Sequence, residues 1–124
     1  MWRLFIFCIF IGCGFNSDRI IRKRVTQNQY TINWFYYSYI TNLSPDKISI
    51  SNGQTEIEIY EGVDVITDVF IEKENIIIKL YKPERGIVYT ENPLKEIFGF
   101  KILIDSNSTS AEHRNIPHGE IEKN

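Results

Sequence analysis

From Tyr30 the chain alternates. Tyr30, Ile32, Trp34, Tyr36 and Ile40 fall on one side of an extended backbone, and Thr31, Asn33, Phe35, Tyr37 and Tyr39 on the other, which is the two-residue period of a strand. Thr41-Asn42-Leu43-Ser44-Pro45-Asp46 interrupts the pattern with turn residues and predicts a loop. Asn52-Gly53 then sits between Ile48-Ser49-Ile50 and Thr55-Glu56-Ile57-Glu58-Ile59, the strongest short hairpin signal. A two-residue loop would pair Ser51 with Gln54, Ile50 with Thr55, Ile48 with Ile57 and Lys47 with Glu58. That register sets apolar side chains together on one face and opposite charges together on the other, and a slip of one residue would destroy both.

A second hairpin is predicted around Lys73-Glu74-Asn75, with Ile71 opposite Ile78 and Val69 opposite Leu80. Ile76-Ile77-Ile78 has no polar break, so this strand is expected at the centre of a sheet, covered on both sides. Pro83-Glu84-Arg85-Gly86 reads as a turn and Ile87-Val88-Tyr89 as a short strand. Thr90-Glu91-Asn92-Pro93-Leu94-Lys95-Glu96-Ile97 offers an N-cap candidate with Pro93 at N1 and predicts a short helical turn near residues 93–97. Phe98, Phe100, Ile102 and Ile104 alternate up to Asp105, and the polar residues 106–124 predict a flexible tail. The expected body is a mainly β domain over residues 30–105, a small antiparallel β-sandwich or rolled sheet of six or seven strands.

The composition supports this. There are 22 isoleucines against one alanine, Ala111, and β-branched residues favour strands while alanine favours helices. With 43% hydrophobic and 24% charged residues the chain has the means to fold.

The N-terminus follows a different logic. Met1-Trp2-Arg3 is a short positive head, and Leu4 to Ile11 is an unbroken apolar run. Extended to Phe15 it has only 12 residues, against about 20 for a spanning helix. A charged head followed by an apolar run of this length reads as a signal peptide. Phe10-Ile11-Gly12-Cys13 resembles a bacterial lipobox, with Phe10 standing where leucine is usual. The resemblance implies cleavage after Gly12, so that residues 1–12 leave, and attachment of a diacylglyceryl group to the Cys13 sulfur. Two acyl (palmitate-type) chains on one residue would anchor the protein stably, at about 0.8 kcal/mol per buried methylene. The implied partner is a membrane, reached through the lipid anchor, and the implied location is the cell envelope, on its periplasmic or surface side. The resemblance covers the first 13 residues and says nothing of the domain behind them. Cys8 would leave with the signal peptide, so the mature chain would hold no disulfide.

Charge is unevenly placed. The net charge is -2, which argues against a basic nucleic-acid binder. Residues 13–29 read as a basic tether with a cationic collar: Arg19, Arg22, Lys23 and Arg24 with Asp18 sum to +3, whereas nine basic and 15 acidic residues after Arg24 leave -6. A brief strand is expected within it, at 20–25. Basic flanks favour the cytoplasmic side, so an uncleaved anchor facing the cytoplasm is the competing topology, and a buried strand at 1–15 the third reading. Beside a lipid anchor, such a collar would suit anionic headgroups; an ordinary solvated linker is the plainer reading.

Candidate chemistry is sparse. His113 and His118 lie near Glu112 and Glu120, but Pro117 between the histidines blocks a helical i,i+4 ligand pair. No metal site and no cofactor are expected. Glu56 and Glu58 alternate with isoleucines, as on the wet face of a strand, and no catalytic constellation emerges. Asn42-Leu43-Ser44 and Asn107-Ser108-Thr109 fit the glycosylation pattern, which matters only in a eukaryotic secretory route. The aromatic run at 34–39 offers Phe35, Tyr37 and Tyr39 as a candidate binding platform for a protein or glycan, because rings give large contact area at small rotamer cost. The function expected is that of a lipid-anchored envelope protein with a non-catalytic β-domain that binds or assembles. The alternative is a soluble or cytoplasm-facing interaction or inhibitor protein with an acidic β-body.

Overall fold

The computed structural model describes residues 18–38, 44–82 and 94–122. The chain is mainly β, in two sheets. The first is built from β1 (Asp18–Gln27), β2 (Tyr30–Ser38), β3 (Asp46–Ser51), β4 (Glu56–Gly62) and the short β9 (Glu120–Ile121), in the order β4-β3-β2-β1-β9. The second holds β5 (Ile66–Glu72), β6 (Asn75–Leu80), the short β7 (Glu96–Ile97) and β8 (Phe100–Asp105), in the order β5-β6-β8-β7. Among the described residues one short helix, α1 (Ser110–Arg114), precedes β9. Among the described residues, none of the helical structure is long and apolar enough to cross a membrane.

The isoleucines explain why the sheets face each other. Ile32, Ile48 and Ile50 of the first sheet and Ile66, Ile76 and Ile78 of the second are fully buried in one cluster, with Trp34 between them. Each such side chain contributes about 1.5–3 kcal/mol relative to exposure. Among the described residues seven strands have six or more residues, in keeping with the mainly β reading. β6 is central as expected, although Ile77 between its two buried neighbours is only half-buried.

The hairpins differ from expectation in an instructive way. Ile50 faces Ile57 and Ser51 faces Glu56, so Asn52–Thr55 is a four-residue loop. The Asn52 side-chain oxygen accepts from the backbone of Gln54 and Thr55, and Gly53 alone in the loop takes positive φ. The tight two-residue turn lies instead at Lys73–Glu74, where Lys73 has φ 57° and Ile71 faces Ile76. Both registers are shifted by two from the predicted ones. A shift of two leaves every side chain on its face, which is why the alternation remains legible. Beyond Ser49 a bulge adds one further residue, and Ile59 and Tyr60 are both buried there.

Four other expectations are corrected. β6 and β8 are parallel, because the chain crosses over between them and no tight turn can join parallel neighbours. Glu96–Ile97 is strand, not helix: positive φ at Phe98 and Gly99 turns the chain back, so that Ile97 pairs with Phe100. The basic tether is itself β1, pairing with β2 along its length. The segment expected as a tail carries α1, closed by a Thr109–Glu112 capping box, and β9, which pairs with Ile20 and Ile21 of β1. The predicted strand at 87–89 and turn at 83–86 lie outside the described residues.

Gly119 fixes this C-terminal strap. Its φ is +93°, and a Cβ there would stand 2.8 Å from the Ile21 carbonyl oxygen. Gly119→Ala should therefore cost about 1–3 kcal/mol and lift β9 from β1. Urea unfolding together with faster proteolysis beyond residue 105 would report it; an unchanged cleavage pattern would contradict this role.

Candidate functional site

β1 organises the polar chemistry of the domain. The register slips between Ile21 and Lys23, so Arg22 is the bulged residue, and the bulge distributes the four cations. Arg19 and Arg24 lie on the face turned away from the core. There Arg19 pairs with Glu56 at 2.7 Å and Glu122 at 3.4 Å. Arg24 donates to Glu122 and to the Asn33 side chain, both at 2.6 Å. Arg22 reaches Asp46 at 2.9 Å, donates to the Pro117 carbonyl and lies over the Tyr36 ring at 4.3 Å. Lys23 pairs with Asp68 of β5 at 2.7 Å, bridging the two sheets.

The collar is thus neutralised inside the fold. Each of its cations holds a carboxylate of the acidic body, and the polarised sequence becomes a set of ion pairs. Lys47 does likewise with Glu58 and Glu61. Burial alone would lower the Lys47 pKa, but its hydrogen bonds to those two carboxylates outweigh this and raise it.

The aromatic strand occupies two environments. Trp34 is 0% exposed in the core, where its Nε1 donates to Asp46 at 2.9 Å. Phe35 points the other way yet is only 3% exposed. The Arg19 guanidinium lies 4.1 Å from its ring centroid, and Lys47 is its cross-strand neighbour. Tyr37 is half-buried and meets Phe35 edge-on at 5.6 Å. Phe35 consequently does not offer an open platform: long cationic side chains roof it. Tyr39 and Cys13 lie outside the described residues.

The histidines are separated. His113 stacks on Tyr81 at 4.6 Å, and its Nε2 lies 2.9 Å from the Asp64 carbonyl and 3.1 Å from its carboxylate. It clamps α1 to the corner between β4 and β5. The His118 carbonyl accepts from the Tyr36 hydroxyl. Glu112 is committed to the α1 cap and to Lys79 at 2.6 Å. Among the described residues no group of three His, Cys, Asp or Glu is placed to hold a metal ion.

Ser49 donates to Glu56, which superficially resembles a hydroxyl beside its base. Burial pushes the Glu56 pKa up, but hydrogen bonds from Ser49 and Arg19 outweigh this and hold it below the usual value. A weakened base beside a hydroxyl that is itself buried is a packing device, not an activated nucleophile. Because the folded pKa is lowered, Glu56 adds stability above its ordinary value of 4.5 that is lost as pH falls through the folded value. Glu56→Gln should flatten that acid limb of the stability profile, measured as urea midpoints from neutral pH downwards. An unchanged limb would contradict it.

An open cleft of about 1000 Å³ runs between β1 and the C-terminal strap, lined by Arg22, Lys23, Arg24, Pro117, Gly119 and Glu122 among others. A smaller hollow beside α1 shares Lys23 and Pro117 with it. The cations along it already hold carboxylates. No protein-family model, curated protein or solved structure matches this chain. Its function must be argued from its own residues. The aromatic run was visible in the sequence, whereas the cleft was not, since it joins residues that stand nearly a hundred positions apart.

Proposed function

We propose that the chain is a lipid-anchored envelope protein whose β-domain acts by binding or assembly. The observation that carries this reading is the lipobox-like Phe10-Ile11-Gly12-Cys13 behind a short apolar run. The first described strand starts at Asp18, five positions after Cys13 in the sequence. The inhibitor reading rests on an acidic surface, and it draws less support because Glu56, Glu58 and Glu61 already hold Arg19 and Lys47.

Expression of the full chain in a bacterial host tests the proposal. Wild-type protein should begin at Cys13, carry the added lipid mass and partition with membranes, while Cys13→Ala should keep its leader and gain no lipid. A wild-type species that begins at Met1 without lipid mass would overturn the reading.

A further inference from the structure

We propose, on the basis of that anchoring, that the domain meets the bilayer with the Asp18 end of its first sheet and turns its four hairpin turns outward. The argument begins with reach. Five peptide links separate Cys13 from Asp18, and they span at most about 18 Å. A lipid on Cys13 therefore holds the start of β1 close to the membrane surface.

The strand register says what else lies at that end. Asp18 faces Ser38, Asp46 faces Gly62 and Ile20 faces Ile121, so the end of β2, the start of β3, the end of β4 and β9 share its level. Two large apolar side chains are more exposed there than any others among the described residues: Val63 at 50% and Ile121 at 56%. They stand on opposite flanks of the five-stranded sheet, roughly 19 Å apart at the usual strand spacing. Ile104, one residue from the corresponding end of β8, is exposed as well. Three separated apolar side chains make a poor protein-docking patch but suit a lipid surface already fixed by acyl chains. Arg19 and Arg22 at this end are taken up by Glu56, Glu122 and Asp46. The apposition thus relies on tether length and apolar contact, not on attraction to anionic headgroups.

The opposite end is uniform in kind. The turns at Asn28, Gly53, Lys73 and Phe98–Gly99 all use positive φ. They share one end: Thr31 beside the first turn faces Ser51 beside the second, Gln27 donates to the Lys73 carbonyl, and Tyr30 stacks on Phe98 at 5.6 Å. Along the ten residues of β1 these turns stand roughly 30 Å from the anchored end. They form the surface presented to a soluble partner.

Fluorophores on single Val63→Cys, Ile121→Cys and Gln54→Cys variants test the orientation. The lipidated full chain is placed in phosphatidylcholine vesicles that carry a nitroxide at the headgroup. Quenching at positions 63 and 121 should exceed that at 54 by about twofold or more, given a separation of roughly 23 Å along the strands. Adding anionic lipid should leave the ratio unchanged. All three sites are exposed, and far-UV circular dichroism checks each variant's fold. Equal or stronger quenching at Gln54, with lipid mass present on Cys13, overturns the orientation alone. Absence of that mass overturns the anchoring reading, and this proposal with it.

Discussion

Replacing Trp34 by alanine should lower the free energy of unfolding by about 3–5 kcal/mol. The side chain is fully buried at the centre of β2, within the cluster that joins both sheets, so its removal opens a cavity that neighbours on two layers must collapse to fill. Two effects are combined in that figure, and Trp34→Phe separates them. Phenylalanine keeps most of the apolar contact but cannot donate to Asp46, as Nε1 does at 2.9 Å; losing that donor should cost about 1–3 kcal/mol. Urea unfolding followed by far-UV circular dichroism measures both variants. An alanine variant within about 1 kcal/mol of wild type would contradict the placement of Trp34 in the shared core.

Asp46 should divide sharply between two substitutions. Its carboxylate accepts from Trp34 and faces Arg22 at 2.9 Å. Burial nevertheless raises its pKa, more than the Arg22 charge and the two hydrogen bonds lower it. The ionised form is therefore disfavoured in the fold, as desolvation of an ion pair often outweighs its attraction. Asp46→Asn keeps an acceptor without the charge and should lie within about 1 kcal/mol of wild type at neutral pH. Asp46→Ala leaves Arg22 and Trp34 without it and should cost about 3 kcal/mol. The pH dependence follows from the raised value. The contribution of Asp46 is fully present below the ordinary 3.8 and is lost as pH rises through the folded value, opposite in sense to Glu56. Asp46→Asn should abolish that loss. Equal costs for Asn and Ala would show that the geometry around the carboxylate is wrong.

Strand positions were legible because alternation depends only on neighbours in the chain. Ile48 and Ile50 could be assigned to a buried face without any knowledge of what lay opposite. Register was less legible: Asn52-Gly53 signals a turn, but whether two or four residues form it depends on how the Asn52 side chain is used, which composition does not show. The fate of residues 106–122 was partly readable, since Thr109-Ser110-Ala111-Glu112 has the capping-box pattern. What hid it was the polarity of the segment, which buries no large apolar face in α1 and docks through Gly119, Pro117 and ion pairs instead. The burial of Phe35 was unreadable for a related reason. The side chain above it, Arg19, is one that sequence rules place in water.

The pairing of Arg24 with Glu122, 98 positions apart, has a consequence for synthesis. A chain emerging from the ribosome exposes β1 well before the carboxylate that Arg19 and Arg24 share, because Glu122 is made 98 positions after Arg24. The strand that completes its outer edge, β9, arrives at the same moment. The first sheet therefore closes only once Glu122 has been made, and until then its leading strand keeps an open outer edge and Arg24 waits for its carboxylate.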